Sequence, residues 1–243
     1  MAIAKIHRWT RRLLLLAALI AAGWASYVWL KGRPQDLPWT PLRLDQPIGV
    51  FSGRKLAGLG TNRAKCMALL RDTGLLFKAL PPQGSGQCPV TNAVSVTPGQ
   101  AMLRFSPTTV GPSCPMVAGL AMWQWQVVEP AAQRIFNASV KQIDHFGSYS
   151  CRRIYGREGG QWSEHATANA LDVSGFTLTD GTRISVAGHG QEDGKKARFL
   201  RDVRDGACDL FSTVLSPDYN AQHHDHLHLD QAQRGTTGWR VCG

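Results

Sequence analysis

Residues 163–176 read SEHATANALDVSGF, and the fold turns on what this stretch does. Its small residues, 166–170, let a loop turn tightly back on itself, and the β-prone run after them predicts a strand over residues 169–177. Asp172 falls inside that strand, seven positions after His165. Working outward, residues 140–143 predict an earlier strand, and a DG turn at Asp180-Gly181 folds residues 183–187 back as a hairpin partner. Residues 193–211 form the longest helical stretch, with Phe199, Leu200, Val203, Cys208 and Phe211 on its apolar face. Residues 225–230 add a short strand after a polar loop. Upstream, residues 62–75 predict a helix capped by Asn62, with Cys66, Leu69 and Leu70 on one face. Residues 115–136 predict two helices, with Pro130 in the first turn of the second and Trp123 and Trp125 in the core. Residues 79–112 are rich in Pro, Gly, Ser and Thr and carry only short β-prone runs such as AVSVT and AMLRF. The pattern gives an α+β domain: helices flanking a small, mainly antiparallel sheet.

Apolar residues make up 43% of the 243 and charged ones 18%, which is globular composition with enough length for a real core. A formal net charge of +10 suggests nucleic acid until it is located. Lys5, Arg8, Arg11, Arg12, Lys31 and Arg33 precede residue 34, where no acidic residue occurs, and the remainder holds 21 basic against 17 acidic residues. The excess therefore flanks an apolar segment, and no nucleic-acid partner is expected. That segment, residues 13–30 (LLLLAALIAAGWASYVWL), has no charge in 18 positions and suits a transmembrane helix. Trp24, Tyr27 and Trp29 fall near its outer end, where aromatic rings favour the interface. Residues 1–12 form a basic cytoplasmic segment, so the rest is exported from the inner membrane into the periplasm, either anchored or released by signal cleavage. Residues 31–50 contain four prolines and read as an extended linker, leaving residues 51–243 as the working domain.

Six cysteines follow the anchor and none precedes it, as three disulfides in an oxidising compartment require. No C-x-x-C spacing points to metal. The expected pairing is sequential: Cys66–Cys88, Cys114–Cys151 and Cys208–Cys242.

The chemistry concentrates in two places. Four of the eight histidines, His223, His224, His226 and His228, lie within six residues and are interleaved with Asp225 and Asp230. His226 and His228, two apart in a strand, project from one face. A solvated surface patch is the competing reading. The second place is His165 with Asp172. Two imidazoles and one carboxylate leave a fourth tetrahedral position open, as hydrolytic zinc requires, and the nitrogen/oxygen donor set favours zinc over magnesium or calcium. His145 and His189 read as structural or surface residues.

SEHATANALDVSGF together with HHDHLHLD resembles the S-x-H-x(6)-D and H-x-H signature of the LAS group of zinc peptidases, which includes lysostaphin-type endopeptidases, D-Ala-D-Ala carboxypeptidases and the hedgehog fold. More narrowly, the chain resembles the bacterial extensin-like C-terminal domain family, from PWTPL (38–42) through SYSCR (148–152) to the last cysteine. The resemblance implies a hedgehog/D-Ala-D-Ala-peptidase-like fold and one zinc ion on His165, Asp172 and His228. It also implies that His226 is the general base or transition-state stabiliser. His223 matches a further unliganded histidine of murein endopeptidases, and Arg152 matches an arginine that holds substrate or oxyanion. Several carboxypeptidases of the group place a glutamate base where this chain has Asp225-His226. The implied activity is a peptidoglycan D,D-endopeptidase or carboxypeptidase cutting stem peptides or cross-links, with any activating protein partner unspecified. The alternatives are a non-catalytic, zinc-stabilised module that binds cell wall or a partner, and a structural wall protein; the chain lacks the Ser-Pro repeats the last would use.

Overall fold

The structure, a computed structural model of the chain, describes residues 2–99, 104–108, 111–190, 193–235 and 238–243. Along helix α1 (Ala2–Lys31) the large apolar side chains from Trp9 to Trp29 are exposed, and among the described residues it is the one helix long and apolar enough to cross a membrane. A membrane span and a signal sequence both satisfy that description.

The 31–50 segment is not an extended linker. Its Leu44 is fully buried, and the Gln126 side chain takes the Ile48 amide at 2.8 Å while donating to the Gln46 carbonyl at 2.9 Å. Four prolines fix φ without preventing a chain from packing, so composition misread a docked strap as a free tether.

Helices α2 (Ser52–Gly58) and α3 (Arg63–Asp72) follow; Asn62 caps α3 by accepting from the Lys65 amide, as its sequence predicts. Strands β1 (Phe77–Ala79) and β2 (Val94–Val96) pair antiparallel. The AMLRF run yields β3 (Arg104–Ser106), and its first three residues lie outside the described ones. Helix α4 (Cys114–Trp123) is buried on all sides because CPMVAGLAMW offers no polar face. It continues without a break through a π-helical turn (Gln124–Val128) into α5 (Glu129–Phe136), where Pro130 sits in the first turn. The widened turn accommodates the proline ring, so the two expected helices run on as one unbroken helical stretch.

Strand β4 (Val140–Gly147) leads to β5 (Ala170–Leu178), β6 (Arg183–Ser185), the short helix α6 (Val186–His189) and α7 (Lys195–Ala207). The hairpin partner ends at Ser185, whose hydroxyl caps α6 by accepting from the Gly188 amide. Strands β7 (Thr213–Leu215), β8 (Leu227–Asp230) and β9 (Val241–Cys242) complete a seven-stranded sheet, ordered β3-β4-β5-β8-β7-β9 with β6 sharing an edge of β5. The centre is antiparallel; the outer pairs β3/β4 and β7/β9 are parallel. Phe176 of β5 packs between Trp123 of α4 and Phe199 of α7, which puts the helices on the face opposite the histidines.

Two of the three expected disulfides are wrong. The bonds are Cys66–Cys114, Cys88–Cys151 and Cys208–Cys242. Cys66 lies on the buried face of α3, which packs against α4 and its first residue Cys114, leaving Cys88 to meet Cys151 beyond β4. Sequence proximity held only for the last pair.

Candidate functional site

Two pieces of local structure bring the site together. Ser163 accepts from the His165 amide at 3.3 Å and opens a 3-10 turn (Glu164–Thr167). Ala168, in the left-handed region at φ 55°, then reverses the chain into β5. This is the tight turn that the small residues of ATANA predict. In the sheet, Asp172 of β5 pairs directly with His228 of β8, while Leu171 and Val173, Leu227 and Leu229 point into the core. The period of two thus aims Asp172, His226 and His228 at the opposite face.

Three donor atoms converge there: His165 Nε2, His228 Nδ1 and an Asp172 Oδ1. They stand 3.1 Å (His165–Asp172), 3.2 Å (His165–His228) and 2.9 Å (His228–Asp172) apart. The remaining ring nitrogens fix what these atoms carry. His165 Nδ1 lies 3.0 Å from the Ser148 carbonyl, which can only accept, so Nδ1 holds the proton and Nε2 is a lone pair. His228 Nε2 lies 3.3 Å from the Asp230 carboxylate and donates to it, which leaves Nδ1 as a lone pair in the neutral ring. Two lone pairs and a carboxylate oxygen facing one point repel unless a cation stands between them. Donors on a tetrahedral zinc sit about 3.3 Å apart, close to the spacing found. His165, Asp172 and His228 can hold a metal ion.

The local electrostatics agree. Burial pushes the Asp172 carboxyl up, but hydrogen bonds and charge from His165 and His228 outweigh it and hold Asp172 well below the carboxylate range. Burial opposes charge on His228, yet Asp172 and Asp230 raise it to about 9. The cage attracts positive charge, and in the absence of metal a proton answers.

His226 stands beside this set with Nε2 3.5 Å from Asp172 Oδ1, while its Nδ1 lies 2.8 Å from the Asp225 carboxylate. Nδ1 therefore donates to Asp225 and Nε2 presents a lone pair to the cleft. His223 donates from Nδ1 to Asn220 Oδ1 at 2.7 Å, its ring centroid 5.2 Å from that of His226. Burial, then the neighbouring His226 and His228, lower His223 to about 4. Arg152 lines the wall of the same cleft, whose volume is about 700 Å³. All six expected site residues thus meet in one place.

His224 is exposed and does not join them. His145 is buried against the Pro107 carbonyl and His189 hydrogen-bonds Ser185; both are structural. Asp225 and Asp230, for which the sequence leaves imidazole-orienting partner and solvated loop or strand-end charge equally open, are the orienting partners of His226 and His228. Three contributors left no mark in the sequence. The Ser148 carbonyl is backbone, and Asn220 is an ordinary loop residue. Arg234, held over Trp239 with its guanidinium 4.5 Å from the ring, reaches the cleft from the far C-terminal segment.

A model of the family described as extensin-like protein C-terminus matches residues 64–243. The chain belongs to that family. Neither a curated protein nor a solved structure matches it. The extensin-like region contains every residue of the site, from Arg152 to His228, and all three disulfides.

Proposed function

We propose that this extensin-like protein is a zinc-dependent peptidoglycan hydrolase, a D,D-endopeptidase or carboxypeptidase cutting stem-peptide or cross-link bonds in the periplasm. On this reading the fold is of the hedgehog/D-Ala-D-Ala-peptidase type, and α1 anchors the chain in the inner membrane with its N-terminus cytoplasmic. The observation that carries the proposal is the convergence of His165 Nε2, His228 Nδ1 and Asp172 Oδ1 within 3.2 Å of one another, with a carboxylate-backed imidazole, His226, directly beside them.

His165, Asp172 and His228 would hold the ion. Bound there, zinc supplies a nucleophile at neutral pH and polarises the scissile carbonyl. The chain's own residues do the rest. His226 Nε2 accepts a proton and returns it to the leaving amine, and Asp225 keeps the ring in the tautomer that can do so; general base catalysis of this kind contributes about 10²–10⁴-fold. Arg152 offers a charged donor to a substrate carboxylate or a developing oxyanion. His223, neutral at pH 7, gives a second imidazole without adding charge.

The test is mass spectrometry of muropeptides incubated with the full-length zinc-loaded chain. Wild type should shorten stem peptides or open cross-links. His226→Ala should bind zinc and lose at least 100-fold in kcat, and His228→Ala should fail to bind zinc. A folded, zinc-loaded wild type that cuts neither kind of bond would overturn the proposal. In that event, binding to cell wall unaffected by His226→Ala would favour the non-catalytic module.

A further inference from the structure

A second cleft, about 330 Å³, shares a wall with the first: Glu164 and Gln233 line both. Its other surfaces are Thr91, Asn92, Ser113, Thr167 and Asn169, with Gly60 and Pro89 at the edge. Hydroxyls and carboxamides dominate, Glu164 is the sole charged side chain, and no aromatic ring lines it. The first cleft differs sharply, carrying two guanidiniums and the rings of Tyr155, Trp162, Tyr219 and Trp239.

The floor between the two is built rigidly. Asn169 donates to Glu164 Oε2 at 2.7 Å and to the Gln231 carbonyl at 2.9 Å, and it accepts from the buried Ser113 hydroxyl at 2.8 Å. The Ser113 amide in turn donates to the Ala168 carbonyl at 2.8 Å, at the turn that places His165. One network thus sets both the ligand His165 and the second cleft.

We propose that the second cleft is a subsite for an uncharged, amide-bearing peptide segment of the substrate, which crosses the Glu164–Gln233 wall so that the scissile bond lies within a continuing chain. Donors and acceptors that are neutral apart from Glu164, itself held by Asn169, and the want of ring faces match peptide amides: a sugar would find no platform to stack on, and an anion no cation. The inference rests on the peptidase reading of the first cleft and selects its endo-acting form. A carboxypeptidase needs space for one short leaving residue. Two joined clefts serve both sides of a cross-link.

Thr91→Trp fills the second cleft from its exposed side without touching the metal residues. Two readouts on the full-length chain separate the claims. The first is the Kd of a cross-linked peptide dimer for the His228→Ala chain, which does not turn over, with and without Thr91→Trp. The second is kcat/KM of the zinc-loaded protein on that dimer and on an uncross-linked pentapeptide. The expected result is a tenfold or greater rise in Kd and a matching fall in kcat/KM for the dimer, with the pentapeptide changed less than twofold. Zinc-dependent cleavage with a dimer Kd indifferent to Thr91→Trp overturns the subsite and leaves the peptidase reading standing. A Thr91-sensitive Kd with no cleavage does the reverse. Absence of both binding and cleavage overturns both. Thr91→Ser, which keeps the hydroxyl and the space, should behave as wild type; a loss there equal to that of Thr91→Trp also overturns the subsite.

Discussion

Asp230 governs which nitrogen of His228 faces Asp172 and His165. Its Oδ2 takes the Nε2 proton, and its other oxygen takes the Ala232 amide at 3.0 Å. Burial pushes this carboxyl up, but His228 holds it below its ordinary value, so it stays charged at neutral pH. Asp230→Asn should weaken zinc binding about 10–100-fold, as removal of such a partner does in other zinc sites. A chelator-competition titration reads this directly, and unchanged affinity would mean that the strand alone orients the ring. His145, paired across the sheet with Val173 but hydrogen-bonded to the Pro107 carbonyl and not to the cleft residues, makes a different prediction. Burial lowers its pKa, so as pH falls below about 6.5 the unfolded chain takes up a proton that the folded chain refuses. Its contribution to stability is complete above that value and declines as pH falls through it toward the folded value. Urea unfolding at pH 7.5 and 5.5 should show a smaller acid loss in His145→Gln, which keeps a donor for Pro107, than in wild type. Equal losses would assign the acid sensitivity elsewhere. The residue types at both positions are plain in the sequence, but Asp230 reads there equally as an imidazole's partner or a strand-end charge, and His145 as structural or surface, because burial and facing partner cannot be seen in one dimension.

At the scale of elements, the turn over residues 163–170 links His165 to Asp172. Ala168 is buried at φ 55°, a conformation that β-branched side chains resist. Ala168→Val should cost about 1–3 kcal/mol and weaken zinc binding although no ligand is changed. Urea unfolding and zinc titration of the same variant check both halves, and loss of stability with intact zinc affinity would uncouple turn from site. The disulfide Cys88–Cys151 fixes the segment that carries Arg152. Replacing both cysteines by alanine should cost about 2–4 kcal/mol. On the proposed function it should also raise KM more than it lowers kcat, because Arg152 binds substrate; steady-state kinetics separate the two. The turn was legible from its small residues. The disulfide was not: pairing depends on which helices pack, and α3 meets α4 only in the assembled core.

Across the whole molecule, the strap after α1 decides how the domain hangs from its helix. Asp36 accepts from the Arg33 side chain and from the Val50 amide, Lys55 donates to Thr40 at 2.9 Å, and Leu44 sits in the core beside the Gln126 clamp. Few free residues therefore separate Lys31 from the folded body. Removing residues 1–32 should leave the urea midpoint of the remainder unchanged. Removing residues 1–50 should lower stability by at least the roughly 2–5 kcal/mol that emptying the Leu44 socket alone costs. Equal stability of the two truncations would show that the strap is not part of the fold.

By itself the sequence determined the local and periodic features. These were the apolar N-terminal helix, the β5 turn-and-strand, the amphipathic α7 and the six polar residues that line one cleft. Each is written in neighbouring residues or in a period of two or 3.6. The tertiary structure alone decided which cysteines bond and that the proline-rich strap docks. It also decided between the two readings of Asp225 and Asp230, brought Ser148 and Asn220 to the histidines, and set a second cleft beside the first. Those depend on contacts between positions distant in the chain, set by how the buried faces fit together, and no local pattern records that fit.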